Sequence, residues 1–196
     1  MPVTGLSNFY YAKYANNGGT VTYSDGGSLG KATTVNIAVT TSSSKFYADN
    51  AVADVDRTFA SGTITVGTSG LGQDVSKAIL GVREATISAI DGVTDDAAKE
   101  LIFDDTQDAP YLGFGLVEQG RDDGKTYHRA VVLCKVAFSA PADAANTRGE
   151  QIEWQTPTIE GEILRSDAAG HAWKTEATFT TEAQAVAYIK ARLSIE

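Results

Sequence analysis

Apolar and polar residues alternate along several stretches of the chain, and this pattern predicts a protein built mainly from β-strands. The clearest alternation lies in residues 33–41, TTVNIAVTT, where Val35, Ile37 and Val39 point to one side of a half-buried strand. Residues 8–27 predict a hairpin, because two runs rich in aromatic and β-branched residues flank an Asn-Asn-Gly-Gly turn. We therefore expect a mainly β fold, a β-sandwich or barrel, with helical additions.

Two segments have the periodicity of short helices. In residues 73–81, QDVSKAILG, Asp74 is the expected N-cap and Gly81 the expected left-handed residue at the end. Residues 181–195 have the best helical pattern, since Thr181 and Gln184 have capping-box spacing and apolar residues follow at helical intervals. Residues 94–101, TDDAAKEL, predict one further helical turn.

Two glycines, Gly113 and Gly115, interrupt the alternation of residues 110–120, PYLGFGLVEQG. A dinucleotide-binding loop needs G-x-G-x-x-G between a strand and a helix, and neither the spacing nor the context fits here. The turn residues 121–124, RDDG, instead predict a hairpin with residues 125–138 as its second strand. Either a bend of the sheet or the close approach of a neighbouring subunit explains the bare face. The second explanation makes both glycines candidate subunit-interface residues.

Residues 41–60 form a polar segment with three consecutive serines and scattered aspartates. The segment predicts either an extended hairpin arm that reaches beyond the core or an ordinary surface loop, and the sequence leaves both open. If it is an arm, the residues near its centre are further candidates for a subunit interface: Lys45, Phe46, Tyr47 and Asp49.

No catalytic, metal-binding or cofactor-binding pattern is found in the sequence. His128 and Cys134 lie on one predicted strand and would be roughly 20 Å apart, too far for nucleophile activation. Cys134 is instead expected to be a small buried residue that shares a face with His128, Val136 and Phe138. The aspartates of residues 103–110, FDDTQDAP, lack the spacing of a calcium loop. We therefore predict a protein that is not an enzyme.

The net charge of −9 and the isoelectric point near 4.7 argue against a nucleic-acid reader, which normally carries a basic stripe. An acidic surface that keeps the protein soluble is the more ordinary explanation of this charge. The single cysteine excludes an intrachain disulfide. The first residues, MPVTGLSNFYYAKY, contain no signal-peptide pattern, and no apolar run is long enough to span a membrane, so we expect a soluble intracellular protein.

The segments RAVVLCKVAFSAP (129–141) and TRGEQIEWQTPTIEGEI (147–163) resemble the C-terminal half of the major tail proteins, or tail tube proteins, of long-tailed bacteriophages of the phi13-type family. The shared positions are Lys135, Val136, Phe138, Pro141, Gly149, Glu150, Ile152, Trp154, Thr156, Pro157 and Gly161. YSDGGSLGKATTVNIAV (23–39), the polar segment and GTITVG (62–67) follow the family order in the N-terminal half. The resemblance covers roughly residues 5 to 165, and the helix at 181–195 lies outside it as a local addition.

The resemblance implies a single tail-tube domain over residues 1–196, a sandwich or barrel with a flanking helix. It implies hexameric rings that stack into a tube with an acidic, strand-lined lumen, through which DNA passes without specific binding into the host cell. The implied partners are other copies of the chain and the tape measure, tail tip and tail terminator proteins, with no cofactor, metal or membrane. The implied location is the virion tail, after assembly in the host cytoplasm.

The alternative is a β-sandwich ligand-binding module, either adhesin-like or carbohydrate-binding. Such modules often carry aromatic side chains on an exposed face, and NFYYAKY offers Phe9, Tyr10, Tyr11 and Tyr14. Core packing is the other use of these residues, since large aromatics dominate protein cores. A binding module would stay monomeric at high concentration, whereas a tube protein would polymerise.

Overall fold

The computed structural model of this protein describes residues 2–87, 98–105, 107–141, 147 and 156–196. The fold is mainly β with two short helices, as the sequence predicts. The elements are β1 (Val3–Asn17), β2 (Thr20–Gly30), β3 (Ala32–Ala48), β4 (Ala51–Thr68), α1 (Gln73–Leu80), β5 (Arg83–Thr86), β6 (Lys99–Ile102), β7 (Leu112–Asp122), β8 (Lys125–Phe138), β9 (Thr158–Leu164), β10 (Lys174–Phe179) and α2 (Glu182–Arg192). Part of the resemblance, Gly149 to Trp154, lies outside the described residues.

Eight of the strands form one antiparallel sheet in the order β2-β1-β7-β8-β9-β4-β3, and β10 also pairs with β8. The outer edge of β8 is shared, because His128–Leu133 pairs with β10 and Lys135–Phe138 pairs with β9. Strand β8 therefore belongs to both halves of a sandwich. The first half contains β2, β1, β7, β8 and β10, and the second half contains β8, β9, β4 and β3.

The main core lies between these two halves. Phe9, Phe114 and Phe138 are fully or almost fully buried, and their rings form a chain with centroid separations of 5.4 and 5.5 Å. The second half contributes buried aliphatic side chains to the same cluster, among them Ile64 and Ile159. Strand β3 joins it through Val35 and Ile37, which confirms the predicted half-buried strand.

The predicted hairpins are confirmed, and their turns have the expected left-handed backbone. Gly18 and Gly19 have φ of 61° and 91° between β1 and β2, and Asp123 and Gly124 have φ of 44° and 79° between β7 and β8. Two consecutive residues with positive φ match the right-handed twist of the flanking strands.

The helix boundaries agree with the sequence except at one cap. Helix α2 begins after Thr181, whose hydroxyl accepts the backbone N–H of Gln184, and α1 ends at Gly81 with φ of 68°, both as predicted. The predicted Asp74 cap is wrong. The N-cap of α1 is Gly72, and Asp74 lies inside the first turn, where a carboxylate still favours the helix dipole.

Two local predictions fail because pairing overrides local pattern. In the predicted helical turn 94–101, residues 94–97 lie outside the described residues, and Lys99–Ile102 is β6, paired with β5. The shared face predicted for His128, Val136 and Phe138 is also wrong. Phe114 pairs with Leu133 but Leu112 pairs with Val136, so β8 has one extra residue in a bulge between these pairs. Because of the bulge, Val136 and Phe138 lie on the opposite face of β8 from His128.

Candidate assembly surfaces

Residues 41–60 form a hairpin arm, one of the two alternatives that the sequence leaves open. Strands β3 and β4 pair from Ala32 to the tip, but β9 pairs only with Gly62–Gly67 of β4. Within the part of the chain that the structure describes, the arm therefore pairs only with itself. Its tip is Asp49 and Asn50, which have φ of 50° and 60°. The result is a two-stranded ribbon projecting from the second half of the sandwich.

The two faces of the arm differ in composition. Directly opposed residues of an antiparallel pair lie on one face. One face, which we call the apolar face, has Tyr47 opposite Val52 and Lys45 opposite Val55. It is continuous with the core side of the sheet. At the base of the arm it carries the half-buried Phe59, whose ring stacks on Trp173 with 5.0 Å between centroids and 9° between planes.

The other face, which we call the polar face, carries hydroxyl groups and carboxylates. Ser42 lies opposite Thr58, and their hydroxyl oxygens are 2.8 Å apart. Ser44 lies opposite Asp56 further along the arm. One large apolar side chain, that of Phe46, lies on this face close to the tip.

The arm exposes large apolar side chains to water, and apolar surface that stays exposed does not stabilise the free subunit. The exposed fractions are 65% for Phe46, 62% for Tyr47, 47% for Val52 and 37% for Val55. A two-stranded ribbon is at best marginally stable in water, and exposed apolar patches commonly mark contact sites. The arm therefore has the composition of a surface that binds a partner.

The structure places the four arm candidates at one end of this ribbon. Lys45 and Tyr47 lie on the apolar face, Phe46 lies on the polar face, and Asp49 is in the tip. All four are exposed.

Gly113 and Gly115, the other two candidates, are covered by α2 of the same chain. A Cβ added at Gly113 would lie 2.5 Å from Leu193 Cδ2, and one added at Gly115 would lie 2.3 Å from Ile189 Cγ2. The glycines do mark a close approach, but the approaching groups belong to the same chain: Ile189 of α2, Leu193 at its end and, for Gly113, Tyr23 of β2. Their face is filled within the subunit, and Gly113 also lies opposite the bulge of β8, between the pairs Leu112–Val136 and Phe114–Leu133.

Helix α2 completes a second, smaller core on the outer face of the first half. Ala185, Ile189 and Leu193 pack on small residues of β1, β7 and β8 such as Ala12 and Ala130. Its first turn is held by Glu182, whose Oε1 accepts hydrogen bonds from Ser7 Oγ at 2.6 Å and Asn8 Nδ2 at 2.5 Å. The outer face of the first half is therefore occupied.

The N-terminal aromatic run is used for packing rather than displayed for a ligand. Phe9 and Tyr11 lie in the main core, Tyr10 packs against the α2 core, and Tyr14 is half-buried. This confirms core packing as the use of these residues. These aromatic residues therefore give no support to the alternative, a β-sandwich ligand-binding module that is adhesin-like or carbohydrate-binding.

A polar network fastens the segment after β9 to the sheet. Lys135 Nζ and the Tyr14 hydroxyl each donate to Asp167 Oδ2 at 2.8 Å, and the backbone N–H of Asp167 donates back to the Tyr14 hydroxyl at 2.8 Å. Lys135 also lies 4.4 Å from the ring centroid of Tyr111, a distance typical of cation–π contacts. A cavity of about 510 Å³ adjoins the network. Lys135 and Asp167 both line this cavity, and their charges are already paired with each other.

The Asp167 network predicts a loss of stability in acid. Hydrogen bonds from Lys135 and then from Tyr14 hold the pKa of Asp167 below its usual range. A lowered pKa contributes stability that is complete above the unfolded value of about 3.9 and is lost as the pH falls through the lower folded value. Thermal unfolding should therefore show Asp167→Asn below the wild type at neutral pH, with the difference disappearing in acid. A difference that is constant at every pH would contradict this assignment.

Cys134 is buried, as predicted, with 6% of its surface exposed. Burial raises the pKa of its thiol, and Arg192 offsets this only in part. Because the thiolate is the reactive form, we expect almost no reaction with a maleimide in the folded protein and rapid reaction after unfolding. Rapid labelling at native conditions would show that the thiol is accessible.

Among the described residues, no group of three or more His, Cys, Asp or Glu side chains could hold a metal ion.

Comparison with models of known protein families finds no match, and comparison with curated proteins finds none either. In the described ranges, neither helix is long and apolar enough to cross a membrane.

Proposed function

We propose that this chain is a tail tube protein of a long-tailed bacteriophage, which assembles into hexameric rings that stack into a tube for DNA ejection. The observation that carries the proposal is the arm. It projects from the sheet without a second strand neighbour among the described residues, and its apolar face exposes Tyr47, Val52 and Val55. Such a ribbon gains stability when it lies against a second protein surface.

Charge complementarity supports another copy of the chain as that second surface. The apolar face of the arm also carries both cations of the arm, Lys45 and Arg57. The chain as a whole has a net charge of −9, so another copy offers an excess of carboxylates to these cations. An arm that binds a different surface of the next copy makes a heterologous contact, and repeated heterologous contacts give rings or open stacks.

The acidic chain also suits a conduit for DNA. Proteins bind DNA largely by neutralising phosphates with lysine and arginine, which releases counterions. A subunit with 25 acidic and 16 basic residues gives little of this affinity, so DNA slides past without specific binding. In this role the chain is a structural protein without a cofactor. It works in the virion tail after assembly in the host cytoplasm, with the tape measure, tail tip and tail terminator proteins as partners.

Negative-stain microscopy with light scattering, over a series of protein and salt concentrations, tests this proposal. We expect rings or hollow tubes above a threshold concentration. The matched control joins Thr40 to Ser61, which pair directly, through an Asn-Gly turn and so removes residues 41–60. That variant should fold but form no tubes. A wild-type chain that stays monomeric throughout the series contradicts the proposal.

A further inference from the structure

The turn between β1 and β2 contains an asparagine that is followed directly by a glycine. Asn17 is the last residue of β1, and Gly18 and Gly19 form the turn that leads into β2. Every residue from Ala15 to Thr20 is exposed. Of the asparagines in the chain, Asn17 is the one that a glycine follows. The pair Asn17-Gly18 is therefore exceptional in sequence and lies fully open to water.

The backbone N–H of Gly18 is available for reaction. Asn17 pairs with Thr20 across the turn, and the N–H of Gly19 donates to Asn16 Oδ1 at 2.8 Å. In the described part of the chain, the N–H of Gly18 has no hydrogen-bond acceptor. A Cβ built on Gly18 would meet nothing within 4 Å, so the space around this residue is open. Glycine also has no Cβ of its own to hinder the approach of its nitrogen to another group.

The side chain of Asn17 is not held in place, unlike the side chains of two other asparagines. Asn8 Nδ2 donates to Glu182 Oε1 at 2.5 Å, and Asn16 Oδ1 accepts the N–H of Gly19. Among the described residues, the Asn17 carboxamide has no hydrogen-bond partner. Its Cγ can therefore turn towards the nitrogen of Gly18.

The charges around the turn do not oppose the loss of a proton from the Gly18 nitrogen. Nearby negative charge would hinder that loss, and a nearby cation favours it. The end of the hairpin, from Tyr14 to Tyr23, contains no charged side chain. From the elements packed against it, Arg192 lines a cavity together with Val21 and Thr22. The end of the hairpin therefore provides no carboxylate that would slow the reaction.

We propose that Asn17 is a site of spontaneous deamidation that yields isoaspartate and aspartate. The Gly18 nitrogen loses its proton to hydroxide and attacks Cγ of Asn17. The bond from Cγ to the side-chain nitrogen then breaks, and that nitrogen leaves as ammonia. Water opens the resulting succinimide ring. Attack at Cγ breaks the new bond and leaves aspartate, whereas attack at the main-chain carbonyl carbon breaks the original peptide bond and leaves isoaspartate.

The modification changes the end of the hairpin without reaching the core. Isoaspartate routes the main chain through Cβ, which lengthens it by a methylene group, and either product adds a negative charge. The pairs next to the inserted group are Asn17–Thr20 and Asn16–Val21. Beyond them lie the packed rings of Tyr14 and Tyr23, with 5.9 Å between centroids. We therefore expect the subunit to stay folded, with β1 and β2 loosened only at this end.

Peptide mass spectrometry of dilute, folded subunits, kept at neutral and at mildly alkaline pH, tests the proposal. We expect the peptide that contains Asn17 to gain the mass difference between an amide and a carboxyl group. It should appear as two products that separate on chromatography, one of which is a substrate for an isoaspartate methyltransferase. Because the nitrogen must first lose its proton, the rate should rise about tenfold per pH unit.

Two kinds of control show whether the site and the fold matter. Asn36 and Asn50 are also exposed but precede isoleucine and alanine, so they should stay nearly unmodified in the same sample. The matched variant, Asn17→Gln, should show no modification at this position, because its longer side chain would have to form a larger ring. The same chain unfolded in guanidinium gives the rate without the turn, and the folded chain should react at a similar rate.

The remaining outcomes overturn the proposal. An Asn17 that stays intact in folded subunits but reacts in guanidinium would show that the turn protects it. Equal modification of Asn36 or Asn50 would remove the role of Gly18, and aspartate without isoaspartate would show direct hydrolysis instead of a succinimide. Because dilute subunits are used, the result does not depend on the proposed tail-tube function.

Discussion

Replacing Gly115 by alanine is expected to lower the free energy of unfolding by about 1–3 kcal/mol, although alanine normally stabilises a strand relative to glycine. The added Cβ would lie 2.3 Å from Cγ2 of Ile189. That methyl is attached to the branched Cβ of a fully buried side chain, so it cannot move aside unless α2 shifts. Denaturant unfolding monitored by circular dichroism measures the loss.

Gly70→Ala is the matched control. A Cβ there meets nothing within 4 Å, and the backbone of Gly70 is not left-handed, so we expect no loss or a slight gain in stability. Ile189→Ala, which removes the obstructing methyl, should then cost less in the Gly115→Ala background than in the wild type. Equal effects of Gly115→Ala and Gly70→Ala would show that α2 does not pack closely on β7.

The strands and hairpins could be predicted because their signals are local. Alternation over residues 33–41 and the glycine-rich turn after Asn17 depend on neighbours in the sequence. Even there, the pattern does not show where the sheet ends. Val39 continues the buried series of Val35 and Ile37 but is 40% exposed, at the point where the pairing of β9 with β4 also ends, at Gly62, the partner of Val39.

The packing of α2 on Gly113 and Gly115 could not be predicted, because it brings together segments that are far apart in the sequence. The bare face of residues 113–115 and the apolar side of residues 181–195 are complementary in size, which is the signal that could have joined them. A neighbouring subunit would fill the same space equally well, so sequence alone does not distinguish the two. The extra residue in β8 could not be predicted for the same reason, since a bulge is defined by the pairing with a second strand.

The sorting of charge on the arm also depends on pairing. Thr40 pairs with Ser61 but Thr41 pairs with Phe59, so β4 has one extra residue at this point. This shift brings Arg57 to the same side as Lys45 and leaves Asp56 on the other. Without it, alternation along β4 would put Arg57 on the side of Thr63, and no charge sorting would be expected.

Replacing Tyr47 and Val52 together by serine is expected to prevent assembly while leaving the subunit folded. The two side chains are directly opposed on the apolar face and are 62% and 47% exposed, so the free subunit loses little packing. If each arm buries this pair against another copy, the loss is about 3 kcal/mol per contact. That corresponds to an increase on the order of a hundredfold in the threshold concentration for tubes, measured by light scattering.

The control is Ser42→Ala with Thr58→Ala, which removes the directly opposed pair on the polar face of the same ribbon. We expect this variant to form tubes at nearly the wild-type threshold, because it leaves all the exposed apolar side chains of the arm unchanged. Assembly lost in the control but kept in the Tyr47 and Val52 variant would reverse the roles of the two faces. The polar face of the arm would then be the contact between subunits, and the face that carries Lys45 and Arg57 would not.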